Sequence, residues 1–288
     1  MTALTTWQFA PLVSVPLALS AVLYLAGSRA VARRHPARPW PPARTLSFLA
    51  GLAAIAVATQ GPDAVYDDVS LRAHMVQHLL LIMVAPPLLV YGRPVTLALH
   101  ATRNPWHARV LRVVRSRTVT AVTSPPLAVA LYSVTVVDTH LTPLILAKGW
   151  LHDGEHVAYL VIGCLLFLPV VGSEPTRWRP SVFGRYLLLL AAMPADIVAG
   201  AGLLLTGAPH GYAPADAHDA GLIMLAGGEG IMAALALALA IRLAYRPAPA
   251  RVPEGQLDAY NAYLASLDSS RSRSRSAGSL PESESPSL

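Results

Sequence analysis

His74 and His78 stand four residues apart in "SLRAHMVQHLLLIMVAPPLLVYG", residues 70–92, at the head of a stretch that is otherwise apolar. His152 and His156 repeat the spacing in "WLHDGEHVAYLVIGCLLF", which begins at Trp150. On an α-helix, at about 100° per residue, positions i and i+4 lie within ~40° of one another, so both rings of a pair can turn toward one ion. Imidazole ligates zinc, copper, iron and nickel alike, and the spacing therefore points to a metal without naming it. One such pair at a membrane surface is more often a hydrogen-bonding feature. Two pairs at matched positions in different helices favour a metal or cofactor centre.

Softer donors bear on the metal. Met193 and Met224 fall in two further apolar runs, and Met75 and Met83 share the run of the first pair. A thioether beside imidazoles favours Cu(I), although methionine is also a common packing residue. Met75 is rotated about 100° from His74 and is a poor partner for it. Two carboxylates lie in the middle of apolar runs, Asp196 in "LLLLAAMPADIVAGAGLLLT" and Glu229 in "GLIMLAGGEGIMAALALALA". Aspartate there costs at least ~2.5 kcal/mol unless it is protonated, paired or hydrated. The candidate ligands are thus His74, His78, His152 and His156, with Met193, Asp196, Met224 and Glu229 as additional candidates. For the two carboxylates, a bond to a neighbouring helix and a proton relay are the competing roles.

The elements that must position these groups are membrane helices. Of the 288 residues, 54% are hydrophobic and only 13% charged, with a mean hydropathy of +0.47. That is too apolar for an ordinary soluble domain. Continuous apolar runs approaching the ~20 residues that cross a bilayer core occur near 9–28, 45–60, 70–91, 119–137, 152–172, 184–206 and 219–245. Backbone polarity forces such runs to be helices, so the chain is expected to be an all-α polytopic protein with seven transmembrane helices. The second run is the weakest, ending at Gly61-Pro62, and six spans is the alternative. The first run lacks a basic leader and does not read as a cleaved signal.

The net charge of +6 comes from 21 arginines and one lysine spread between the apolar runs, a topological pattern and not a nucleic-acid footprint. Segments 29–44, 92–118, 173–185 and 242 onward hold 5, 6, 3 and 6 basic residues, and only Arg72 and Lys148 lie on the other side. By the positive-inside rule the N-terminus is outside and the C-terminus cytoplasmic. Seven of the ten histidines then map to the outer side: His74, His78, His140, His152, His156, His210 and His218. Acidic residues share the bias, Asp138, Asp153, Glu155, Asp216 and Asp219 among them, so the outer face suits cations.

Residues 1–245 form the expected membrane domain. Residues 246–288 form a cytoplasmic tail, with a short amphipathic segment at 256–267 followed by a Ser-rich, charged stretch of disordered composition. "NPWHARVLRVVRSR" in the 92–118 segment reads as an amphipathic helix along the membrane surface. Pro86-Pro87 should kink or break the third helix below its histidines. Cys164, the single cysteine, excludes an internal disulfide or CxxC pair and reads as packing.

"HMVQHLLLIMVAPPLLVYGRP" closely resembles the signature of the CtaG-like cytochrome c oxidase assembly family, the multi-span bacterial kind. So does "WLHDGEHVAYLVIGCLLFLPVVG", followed by "LLAAMPADIVAGAGLL". The resemblance covers roughly residues 10–245. It implies a seven-helix protein of the bacterial plasma membrane that helps assemble the oxidase without enzymatic turnover. Copper is delivered to the catalytic subunit on this view, with oxidase subunits and a copper donor protein as partners and lipid as surroundings. His74, His78, His152 and His156 match the family's histidine pairs. From the residues alone, two other readings remain. One is an intramembrane zinc hydrolase with Asp196 or Glu229 activating water; the other is a haem-binding electron carrier with histidine axial ligands. No P-loop, nucleophile elbow or HExxH motif is present.

Overall fold

The computed structural model describes residues 7–66, 70–142, 149–172, 174–206 and 212–245. Asp67, Asp68, Lys148, His210 and the tail from 246 lie outside the described residues. The chain divides into two units, Met1–Ala240 and Ile241–Leu288, and the first carries the helical bundle. Among the described residues there is helix and no strand.

Six helices are long and apolar enough to cross a membrane: Pro11–Arg34, Pro42–Tyr66, Leu71–Ala101, Trp150–Val171, Val182–Thr206 and Pro214–Ala244. The fourth expected span, 119–137, is instead a short helix, Arg117–Val122 (α8), followed by the 17-residue helix Pro125–Leu141 (α9). At 1.5 Å per residue α9 is about 25 Å long, short of a ~30 Å hydrocarbon core. The first helix, α1 (Pro11–Arg34), runs past the expected end at 28, because Arg29, Arg33 and Arg34 continue the helix beyond its apolar stretch. The second is α2 (Pro42–Gln60), followed by one turn, α3 (Pro62–Tyr66).

The third span contains the least regular backbone. It starts as α4 (Leu71–Leu79), widens into a π-helical turn at Leu80–Val84, and resumes as α5 (Ala85–Tyr91) and α6 (Pro94–Ala101). Pro86-Pro87 therefore does not break the helix. The two prolines occupy the first turn of α5, where missing N–H groups cost least, and the π turn before them absorbs the register change. Between α6 and α8 lies α7 (Trp106–Val114), with no buried residue, and Arg109 rests over the Trp106 ring. A helix is expected there, and α7 is that helix.

The remaining helices are α10 (Trp150–Val171), α11 (Val182–Thr206) and α12 (Pro214–Ala244). Side-chain bonds fix how they run. Near the ends of α2 and α4, the Gln77 amide donates to the Ala58 carbonyl at 2.8 Å. Further along the same span, Leu88 O on α5 accepts from Ser47 near the start of α2, and Gly92 O just past α5 accepts from the Tyr24 hydroxyl of α1. Tyr132 of α9 meets Asp196 of α11, and Tyr186 of α11 reaches the Ala236 carbonyl of α12. Successive long elements thus run in alternating directions, and the first residues of α4, α10 and α12 come to one end of the bundle with the last residues of α9.

Further into the bundle, helix contact depends on glycine. A Cβ on Gly163 of α10 would fall 2.4 Å from the Ile82 carbonyl oxygen and 2.6 Å from Pro86 Cγ. Only a bare backbone lets α10 lie against the π turn. The core that surrounds this contact is apolar and buried: Met75, Leu81, Ile82, Met83, Tyr132, Val136, Tyr159, Leu166 and Phe167. Cys164 lines an apolar cavity of about 440 Å³ with Leu52, Leu89 and Leu160, in keeping with a packing role.

Candidate metal centre

The start of α4 is held by a carboxylate from another helix. Asp216, in the first turn of α12, accepts from the Leu71 amide, from Ser70 Oγ at 3.1 Å and from Arg72 Nε at 2.6 Å. Ser70 also caps its own helix through the Ala73 amide. Negative charge at a helix N-terminus is favourable, and here it fixes the height of the two histidines that follow.

His74 and His78 are both buried, and their ring centroids are 4.1 Å apart. His152 and His156 on α10 are 4.2 Å apart. The two pairs meet: His74 stacks on His152 at 5.1 Å, and His78 lies 6.1 Å from His156. One ring nitrogen each from His74, His78 and His152 all lie within 4.8 Å of one another. Three imidazoles from two helices therefore converge on one point, with His156 beside them.

The bonding of the cluster is incomplete. Nε2 of His74 and both ring nitrogens of His78 are buried without a hydrogen-bond partner. Buried polar atoms are satisfied in the large majority of cases, since desolvation without a bond costs about 1–3 kcal/mol each. A metal ion would use these lone pairs, so the residues present fit one.

Two residues that the histidine spacing did not single out belong to the same cluster. His140, at the end of α9, lies 5.4 Å from His78. Its Nδ1 is 2.7 Å from the Val136 carbonyl, which fixes that nitrogen as the donor and leaves Nε2, buried and unpartnered, as the lone-pair face. Glu155, between the two histidines of α10, approaches His78 and His152 at 3.9 and 3.8 Å. Tyr159 completes the wall, with its ring 4.6 Å from His78 and its hydroxyl 2.5 Å from Thr139 Oγ1. The outer-side bias of histidines and acids had marked both positions, but nothing in their spacing distinguished them from surface residues.

The additional candidates are arranged differently. Asp196 is fully buried, but its Oδ1 accepts from the Tyr132 hydroxyl at 2.8 Å. It packs against Gly228, where a Cβ would stand 3.4 Å from Asp196 Cβ and 3.6 Å from Met83 Cε. That level is more than a turn inward of His78, and Asp196 and Glu229 are not part of the close imidazole group. Met224 is buried in the core, on α12 between the Asp216 contact and Gly227, which meets Leu79. Met193 packs partly buried against the same core.

A polytopic helical membrane protein with a buried imidazole centre near one end of its bundle is the class that fold and site define. Residues 22–246 match the model of one family within it, the cytochrome c oxidase caa3 assembly factors, and the chain belongs to that family. Among curated proteins, uncharacterised proteins of Mycobacterium bovis and Mycobacterium tuberculosis are each 31% identical over 211 residues, 70% of this chain and 32% of the relative. One from Mycobacterium leprae is 28% identical over 210 residues, 69% of this chain and 32% of its own length. The chain thus spans about a third of the length of these relatives. No solved structure matches.

Proposed function

We propose that this protein is a non-enzymatic assembly factor for cytochrome c oxidase in the bacterial plasma membrane. It binds copper as cargo at His74, His78, His152 and His156 and passes it to the catalytic subunit. The observation that carries the reading is the convergence of three imidazoles, two of them buried, with nitrogens that lack hydrogen-bond partners at His74 and His78. Family membership supplies the context of oxidase assembly. Imidazoles bind the ion, and a thioether beside them favours Cu(I).

Seven crossings with the N-terminus outside fit this function. His74 and His152 both stand at the starts of their helices, so α9 must carry the chain back to the histidine end between them, short as it is. The concentration of arginine in the segments assigned to the opposite side supports an outer placement of the centre, where an incoming donor protein would meet it.

Geometry weighs against the other readings. Axial haem ligands point their nitrogens at one another across the macrocycle, whereas His74 and His152 stack face to face at an interplanar angle of 19°. A hydrolase relying on Asp196 would need that carboxylate at the imidazoles, and it lies apart from the close imidazole group, with Oδ1 accepting from Tyr132.

Copper content of the detergent-purified protein, loaded with Cu(I) under reducing conditions, tests the proposal. About one copper per chain is expected in the wild type and none after alanine replaces all four histidines. Cells carrying the quadruple variant should make copper-deficient oxidase. Full oxidase copper content in those cells would overturn the delivery reading, and zinc retained together with hydrolysis of lipid or amide would replace it.

A further inference from the structure

Glu155 follows His152 by three residues on α10 and turns inward with it. Its side chain is only 7% exposed. Oε1 lies 3.9 Å from Nε2 of His78 and Oε2 lies 3.8 Å from Nδ1 of His152, so the two oxygens reach toward two different members of the imidazole trio. Both separations are too long for hydrogen bonds. They suit donor atoms that share an ion, since ligands each ~2.0–2.2 Å from one metal stand roughly 3–4 Å from each other. Oε1 is buried without a hydrogen-bond partner, like the His78 nitrogen it faces. Burying a carboxylate oxygen without a hydrogen bond is costly, and a cation shared with the imidazoles removes that cost.

We infer that Glu155 is itself a ligand of the ion held by His74, His78 and His152. The centre is then a three-imidazole, one-carboxylate set that accepts a borderline divalent cation, Cu(II) or Zn(II), and is not restricted to Cu(I). This rests on the copper-binding reading above and changes its chemistry: a carboxylate is a hard ligand that adds little to Cu(I) and much to Cu(II). A protein exposed to an oxidising exterior could capture copper in the state in which it is found there.

The test uses the full chain, stripped with chelator and titrated in detergent with copper(II) sulfate, and separately with Cu(I) under anaerobic reducing conditions against a competing chelator. Wild type should take up Cu(II) with an electron paramagnetic resonance spectrum of mixed nitrogen and oxygen ligands. Glu155→Gln should lose about tenfold or more in Cu(II) affinity while its Cu(I) affinity stays within about threefold. Glu155→Asp, which keeps the charge on a shorter arm, should fall between them, and it decides the matter if the glutamine variant does not fold. An unchanged Cu(II) affinity and spectrum in Glu155→Gln would overturn the inference alone, as would a wild type that binds Cu(I) and rejects Cu(II). A wild type that binds copper in neither state would overturn the delivery reading as well.

Discussion

Two buried polar places at opposite ends of this bundle are built on contrasting plans. Glu174 is 4% exposed, and its carboxylate accepts from the Val95 and Thr96 amides at 2.9 Å each and from the Thr96 hydroxyl at 2.6 Å. It caps α6 and its bonding is complete. At the other end His74, His78 and His140 are buried just as deeply, yet each presents at least one ring nitrogen that bonds to nothing. Both groups carry a desolvation cost, but only one is repaid within the chain. A satisfied buried group holds a fold together; an unsatisfied cluster is, on the proposed function, kept for the ligand that completes it.

Replacing each group by an apolar residue should break the symmetry between them most sharply. His74→Leu with His78→Leu removes four ring nitrogens, three of them unbonded, and is expected to abolish copper binding while leaving the metal-free protein as stable as before, or more so. Glu174→Leu instead strands the two α6 amides and should cost about 1–3 kcal/mol with copper binding intact. Thermal unfolding in detergent and metal content, measured on both variants, decide it. A large loss of metal-free stability in the histidine variant would mean that the imidazoles are structural after all.

A second, smaller effect concerns how the unsatisfied end is kept in register. Gly163→Val puts side-chain atoms where the Ile82 carbonyl and Pro86 already stand, so α10 must move away from the π turn. Overpacking of this kind costs about 1–3 kcal/mol. Because His152 and Glu155 ride on α10 while His74 and His78 ride on α4, the copper affinity should fall as well. The matching change on the other side of the comparison, at Glu174, does not touch either helix start. Equilibrium copper titration beside thermal unfolding separates the two losses, and an unaltered affinity would show that α10 is positioned by something other than this contact.

How much of this was legible in the sequence follows from what each signal encodes. The histidine pairs could be read because a spacing of four has one meaning on a helix, and their meeting follows from two helix starts coming to the same end of the bundle. Apolar length located six of the spans, and α9 is the exception because Asp138 and His140 sit within a short helix whose apolar stretch merges with the surface segment before it. Glu155 and His140 were not separable from the other outer acids and histidines, since their roles depend on a partner helix. Pro86-Pro87 announced an irregularity but not its form: a wide turn that keeps the helix continuous depends on packing against Gly163. Asp216 capping a helix more than 140 residues away leaves no local trace at all.

The smallest expected effect tests whether the satisfied end is as settled as its bonds imply. Burial pushes the Glu174 carboxyl up from its ordinary value, against the pull of the Thr96 hydroxyl and the two amides. A carboxyl that holds its proton more tightly in the folded chain than in the unfolded one contributes stability that is fully present below its unfolded value of ~4.3. That contribution is lost as pH rises through the raised folded value. Glu174→Gln keeps the size and one carbonyl acceptor but cannot ionise. The margin in thermal midpoint between wild type and this variant should therefore be largest in acid and shrink as pH is raised from about 4 to about 8. A margin that grows with pH would show that the three donors outweigh burial and that the group works as an ionised cap. In that case the two ends of the bundle differ in charge as well as in bonding: a fixed anion met by amides at one end, and at the other a set of imidazole nitrogens without hydrogen-bond partners.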